Sequence, residues 1–161
     1  MKERRHAILS FSVFLSICFS VALIGALMTE IGENSWFTGL QKPTFQPPNW
    51  IFGPVWTVLY ILIAISGWLV YIQERTPIRK FVLQVYAAQL ILNLLWTFLF
   101  FGLHSLILSL VDIFILVFTI FYYIVISRNL SKWAALLFVP YAIWVTFAAL
   151  LNLSLWMLNP V

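Results

Sequence analysis

Charge is scarce in this chain. Only 9% of its 161 residues are Asp, Glu, Lys or Arg, whereas a soluble domain carries about 25%. Apolar residues make up 63% and mean hydropathy is +1.02, which excludes a soluble globular protein and predicts an integral membrane protein. There is one cysteine, Cys18, inside an apolar run, so neither an intrachain disulfide framework nor a cysteine metal site is available. The two histidines, His6 and His104, fall at opposite membrane edges and cannot share a metal. No P-loop, dinucleotide fingerprint, Ser-His-acid set or close carboxylate pair occurs. Chemistry, if any, has to come from a bound ligand, and no cofactor is required. The formal charge of +4 is spread over short turns and forms no groove-sized basic patch, so nucleic acid is not an expected partner.

What the chain has is five long apolar runs. They predict helices at about 8–28, 50–72, 81–101, 106–126 and 133–158, each near the length that crosses a bilayer. The expected fold is all-α: a single domain, 1–161, made of a five-transmembrane-helix bundle. The first run follows a basic Met1–His6 segment but reaches Met28, too long for a cleavable signal core, so it reads as an uncleaved helix. Ala22, Gly25 and Ala26 give it a small-residue face suited to close helix approach. Short turns make neighbouring helices antiparallel. Lys2, Arg4, Arg5, Arg75, Arg79, Lys80, Arg128 and Lys132 then lie on one side and Lys42 alone on the other, with Glu30 and Glu33. Eight of nine basic residues on one side place the N-terminus in the cytoplasm and the C-terminus outside, in a bacterial cytoplasmic membrane. No internal repeat is visible, and five spans do not divide into inverted halves.

Prolines and aromatics concentrate between Lys42 and Tyr60. Pro43, Pro47 and Pro48 fix φ and favour extended geometry before them, a stiff lead-in on the outer face. Pro54 is expected in the first turn of helix two, with Trp56 and Tyr60 on one face beyond it. Deeper in the bilayer, Gln89, Asn93 and Trp96 share a face of helix three, and Tyr141, Trp144, Ala148 and Asn152 lie near one stripe of helix five. One reading is a cavity walled by indoles and amides, open toward the proline-rich loop and suited to a flat aromatic ligand. The other is that Trp36, Trp50, Trp133 and Trp156 form the interfacial belt while buried amides join helices. Asp112, the acid inside a span, is either a proton-coupling group or a helix tether.

Four motifs in order resemble the translocator protein family, also called tryptophan-rich sensory proteins or peripheral-type benzodiazepine receptors. They are Lys42-Pro43 through Pro47-Pro48, Phe52 and Pro54-Val55-Trp56-Thr57 with Leu59-Tyr60; Gln89-Leu90, Leu92-Asn93 and Trp96; Asp112; and Pro140-Tyr141, Trp144, Phe147-Ala148 and Leu151-Asn152. The resemblance implies a dimeric five-helix bundle binding porphyrins such as protoporphyrin IX and benzodiazepine-type ligands. It implies a ligand site at Trp56, Asn93, Trp96, Trp144, Phe147 and Ala148, to which the helix-face spacing adds Tyr60 and Tyr141. Some bacterial members promote light-dependent porphyrin breakdown, which the resemblance assigns here to Trp56 and Trp144. Two features depart from the family pattern: Phe45 stands where many members have Trp, and the end of helix five lacks the base of the animal cholesterol pattern.

Two functions of different class therefore compete. One is a binding protein for planar tetrapyrroles, lodged in the bilayer and paired as a homodimer. The other is a small transporter or channel for an amphipathic solute, coupled to protons through Asp112.

Overall fold

The computed structural model describes residues 2–30, 32 and 35–160 and, among these, side chains from residue 6 onward. Glu33 and the side chains of Lys2, Arg4 and Arg5, on which the charge asymmetry partly draws, lie outside that set. The helices are α1 (Lys2–Met28), α2 (Trp36–Gly39), α3 (Asn49–Tyr71), α4 (Pro77–Thr97), α5 (Leu106–Ser127), α6 (Lys132–Leu137) and α7 (Val139–Leu158), with a π-helical turn at Phe98–Gly102. Five stretches of helix are long and apolar enough to cross a membrane, α4 with its π turn and α6 with α7 each making one. In the bundle α1 lies against α3 and α4, α4 against α5, and α5 against α7, while α3 completes the ring through α6 and α7.

Local chemistry explains the boundaries. Ser105 and Ser131 cap α5 and α6 by accepting from the N–H groups of Leu108 and Ala134, and Thr76 accepts from Arg79 N–H at the start of α4. Pro77, expected in the charged turn, is instead the first residue of α4, where its missing N–H has no helical partner to lose. Pro54 also departs from expectation. The helix starts at Asn49, so Pro54 stands past the first turn and denies the Trp50 carbonyl its usual partner. The fifth span is not continuous: Pro140 breaks it at Phe138, whose N–H turns back to Ala135 O at 3.2 Å.

Two features were not visible in the sequence. The outer loop contains the short α2, and α4 widens into the π turn, where one extra residue per turn brings the consecutive Phe100 and Phe101 both inward. The tightest helix approach is also elsewhere than expected. A Cβ on Gly25 would meet Thr97 at an ordinary 3.9 Å, and Ala26 is exposed. A Cβ on Gly67 would lie 2.5 Å from the Tyr86 ring and 2.8 Å from Phe14, so α1, α3 and α4 meet over a missing side chain.

The first loop, the α4–α5 turn and the end of α7 share one end of the bundle. Asn159 clasps Gln41, accepting from its backbone N–H at 2.8 Å and donating to its carbonyl at 3.0 Å. Trp36 stacks on His104 with ring centres 4.6 Å apart. His104 holds a left-handed φ of 51°, a conformation His adopts more readily than most residues.

Candidate functional site

The centre of the bundle holds a hydrogen-bonded chain that crosses three helices. Tyr60 of α3 donates to Asn93 Oδ1 of α4 at 2.6 Å, and Asn93 Nδ2 donates to the Tyr141 hydroxyl of α7 at 3.1 Å. All three are buried. In hydrocarbon an unmatched amide or hydroxyl is costly, so three such groups satisfy one another and fix the separation of their helices. Trp56 packs on both tyrosines, 5.5 Å from the Tyr60 ring and 6.2 Å from the Tyr141 ring. Below them Ser66 contacts the Tyr123 hydroxyl at 2.9 Å and donates to Ala134 O at 2.8 Å, joining α3, α5 and α6.

A groove of about 660 Å³ opens between α3 and α7, with Pro54 and Val58 on one wall and Pro140, Ile143, Trp144 and Phe147 on the other. Its size is within the roughly 300–1,000 Å³ of small-molecule sites. Pro54, Val58, Pro140 and Ile143 are exposed, so the groove faces outward between the helices and is not a sealed chamber. The two prolines belong to its shape, since each breaks the regular helix surface facing it. Trp144 stands edge-on to Phe52 at 5.7 Å and tilts against Phe147 at 5.7 Å, while Phe45 of the outer loop meets Phe147 at 6.4 Å. The Trp144 indole N–H is buried and has no acceptor among the described residues.

Of the eight residues expected at the site, Tyr60, Asn93, Tyr141 and Trp56 thus make a closed inner core, and Trp144 and Phe147 line the outer groove. Trp96 lies apart from both. It donates to Asn152 Oδ1 at 3.1 Å, Asn152 donates to Leu106 O at 3.1 Å, and the Trp96 ring stacks on Phe100. Ala148 is half-buried and packs against the core. Asp112 is buried with Oδ2 lacking a partner, and both amide atoms of Gln89 are likewise unpaired. Trp36 anchors the loop by stacking on His104 and meeting Phe100 edge-on at 5.6 Å. Trp50, Trp133 and Trp156 are exposed.

The sequence did not single out Pro140 and Ile143 as groove residues, nor Phe45 and Phe52 as aromatic neighbours of its wall. Phe45 and Phe52 stood in the proline-rich stretch, where aromatic density was a usable signal. Ile143 carried none, because an isoleucine toward lipid and one toward a groove look alike.

The TspO/MBR family profile matches residues 14–157. The chain is 36% identical to protein CrtK of Rhodobacter capsulatus over 151 residues, covering 93% of this chain and 92% of that protein. It is 36% identical to the tryptophan-rich protein TspO of Chlorobaculum tepidum over 160 residues, 95% of this chain and 98% of the relative. Similarity extends to the human translocator protein at 36% over 123 residues, 75% of this chain and 73% of the relative. With five spans and such matches along most of its length, the chain is a multi-pass membrane protein that belongs to the TspO/MBR family.

Proposed function

We propose that the protein binds porphyrins of the protoporphyrin IX class, and other planar aromatic ligands, in the groove between α3 and α7. The observation that carries this reading is the Trp144 indole: an aromatic wall of an apolar groove holding one buried donor without an acceptor. An unpaired buried donor is destabilising, and a turn of the half-buried indole would bring it to a carboxylate or carbonyl of a flat guest that covers the aromatic faces. Phe45 and Phe52 extend that aromatic surface toward the loop. The same reading takes the protein to be a homodimer in a bacterial cytoplasmic membrane, its basic end inward.

Titrating the detergent-purified protein with protoporphyrin IX, while following its tryptophan emission, tests the proposal. Saturable quenching is expected. Trp144→Leu removes one large aromatic contact and the free donor, so affinity falls by about tenfold. Linear, non-saturating quenching would overturn the reading. Light-dependent breakdown is a separable extension in which dioxygen is the oxidant. Pigment decay under illumination that is unchanged in both Trp56→Phe and Trp144→Phe removes it and leaves binding standing.

A further inference from the structure

At the opposite end of the bundle a second groove, of about 720 Å³, opens where α3 turns into α4. Arg75, Arg79 and Lys80 stand at its start, and Leu83, Gln84 and Ala87 carry it along α4. Arg79 is held in place. Its Nη1 donates to the carbonyls of Tyr71 at 2.9 Å and Gln73 at 3.0 Å, and its guanidinium lies 5.5 Å over the Tyr71 ring. These contacts cover the carbonyl end of α3 but leave the positive charge without a counter-ion. Arg75 and Lys80 are exposed and, among the described residues, form no ion pair, and neither does Glu74, the acid of this turn. Three cationic side chains therefore line one groove, and Glu74 is the one acid in the turn that joins α3 to α4. Their mutual repulsion is relieved by an anion.

The rest of the groove says which kind of anion. Ala87 is exposed and small, and Leu83 beside it is half-buried, so α4 presents a shallow apolar trough leading away from the cations. Seven residues from Lys80 to Ala87 carry it about 10 Å along a membrane-spanning helix. Exposed Ile91 and Leu95 continue the apolar surface. A soluble anion uses only the charged end. A molecule with an anionic head and a hydrocarbon tail uses both.

We propose that this groove is a site for one anionic phospholipid, its phosphate held by Arg75, Arg79 and Lys80 and one acyl chain laid along Leu83 and Ala87. Arginine and lysine supply fork-like and point-charge donors to phosphate oxygens, and basic pockets at a membrane surface attract anionic headgroups. This site is separate from the α3–α7 groove and does not depend on what that groove binds.

Native mass spectrometry of the full chain in detergent, titrated with phosphatidylglycerol, phosphatidylcholine or inorganic phosphate, tests it. A retained phosphatidylglycerol adduct is expected, with phosphatidylcholine held far more weakly and inorganic phosphate failing to compete. Each cation removed weakens binding about fivefold, so Arg75→Gln/Lys80→Gln loses about twenty-fivefold. Arg128→Gln/Lys132→Gln, with the same charge change on the other turn, stays within about twofold of wild type. Ala87→Trp fills the trough at an exposed position and lowers retention with every charge in place. Equal losses in the two charge variants reduce the effect to net surface charge and overturn the site. Displacement by inorganic phosphate, or full retention in Ala87→Trp, overturns the lipid as occupant.

Discussion

Replacing Gly67 with alanine sets two effects of known sign against each other. Inside a helix, Gly→Ala is favourable by about 1 kcal/mol in water. That gain shrinks in detergent, where the denatured state keeps much of its helix. Against it stands the new Cβ, which would lie 2.5 and 2.6 Å from two Tyr86 ring atoms and 2.8 Å from Phe14. Carbon pairs settle near 3.5–4.0 Å, so a ring must move. Phe14 is half-buried and can swing. Tyr86 cannot do so freely: its hydroxyl donates to Ile63 O at 3.2 Å and contacts Cys18 Sγ at 3.3 Å, and its ring meets Phe14, Tyr123 and Phe138. Overpacking a fixed core costs about 1–3 kcal/mol, and the pinned ring puts this site at the upper end. The net loss is about 2 kcal/mol, or roughly 4–8 °C in Tm for a chain of this size. Thermal unfolding in detergent, followed by near-ultraviolet circular dichroism, measures it. In a Tyr86→Leu background the two closest atoms are gone, so the same Gly67→Ala change costs less than in wild type. An unchanged or raised Tm for the single variant, or an equal loss in both backgrounds, would refute the close approach of α1, α3 and α4 at this glycine.

Asn93→Leu removes both bonds that tie α4 to Tyr60 and Tyr141. Interhelical hydrogen bonds in membranes average about 0.6 kcal/mol and reach about 1.7, so a loss of about 1–3 kcal/mol in detergent unfolding is expected. A variant as stable as wild type would show that the three side chains do not hold the helices. Asn159→Ala opens the clasp on Gln41. With each bond worth about 0.5–1.5 kcal/mol, amide exchange at Gln41 speeds up about tenfold or more while exchange in the buried part of α3 is unchanged. Equal exchange at Gln41 in the two proteins counts against the clasp.

The polar chain at the centre was half legible. Asn93 and Tyr141 each drew attention because polar groups at membrane depth need partners, and the structure supplies them in one another and in Tyr60. Trp96 drew attention for the same reason, yet its indole goes to Asn152 and its ring to Phe100. Spacing put Asn93 and Trp96 on neighbouring positions of one helix face. It said nothing about which helix lay across from each, and the long side chain of Trp96 reaches a different neighbour. Trp36 stacks on His104, a contact made between chain segments that the sequence keeps far apart.

By itself the sequence determined the class and the count of spans. Apolar runs of bilayer length can only be helices, because a backbone in hydrocarbon must satisfy its own hydrogen bonds. Its apolar runs also marked most helix ends within about a turn, since hydropathy changes where a span leaves the bilayer. The tertiary structure alone decided where Pro54 and Pro140 meet across a groove, that Gly67 and not Gly25 is the tight crossing, and that the cations of the α3–α4 turn line one groove with Leu83 and Ala87. Those outcomes depend on how each helix is rotated toward its neighbours. That rotation is set by packing between side chains distant in sequence, and lipid, as apolar as the side chains it touches, leaves no hydropathy pattern to announce it.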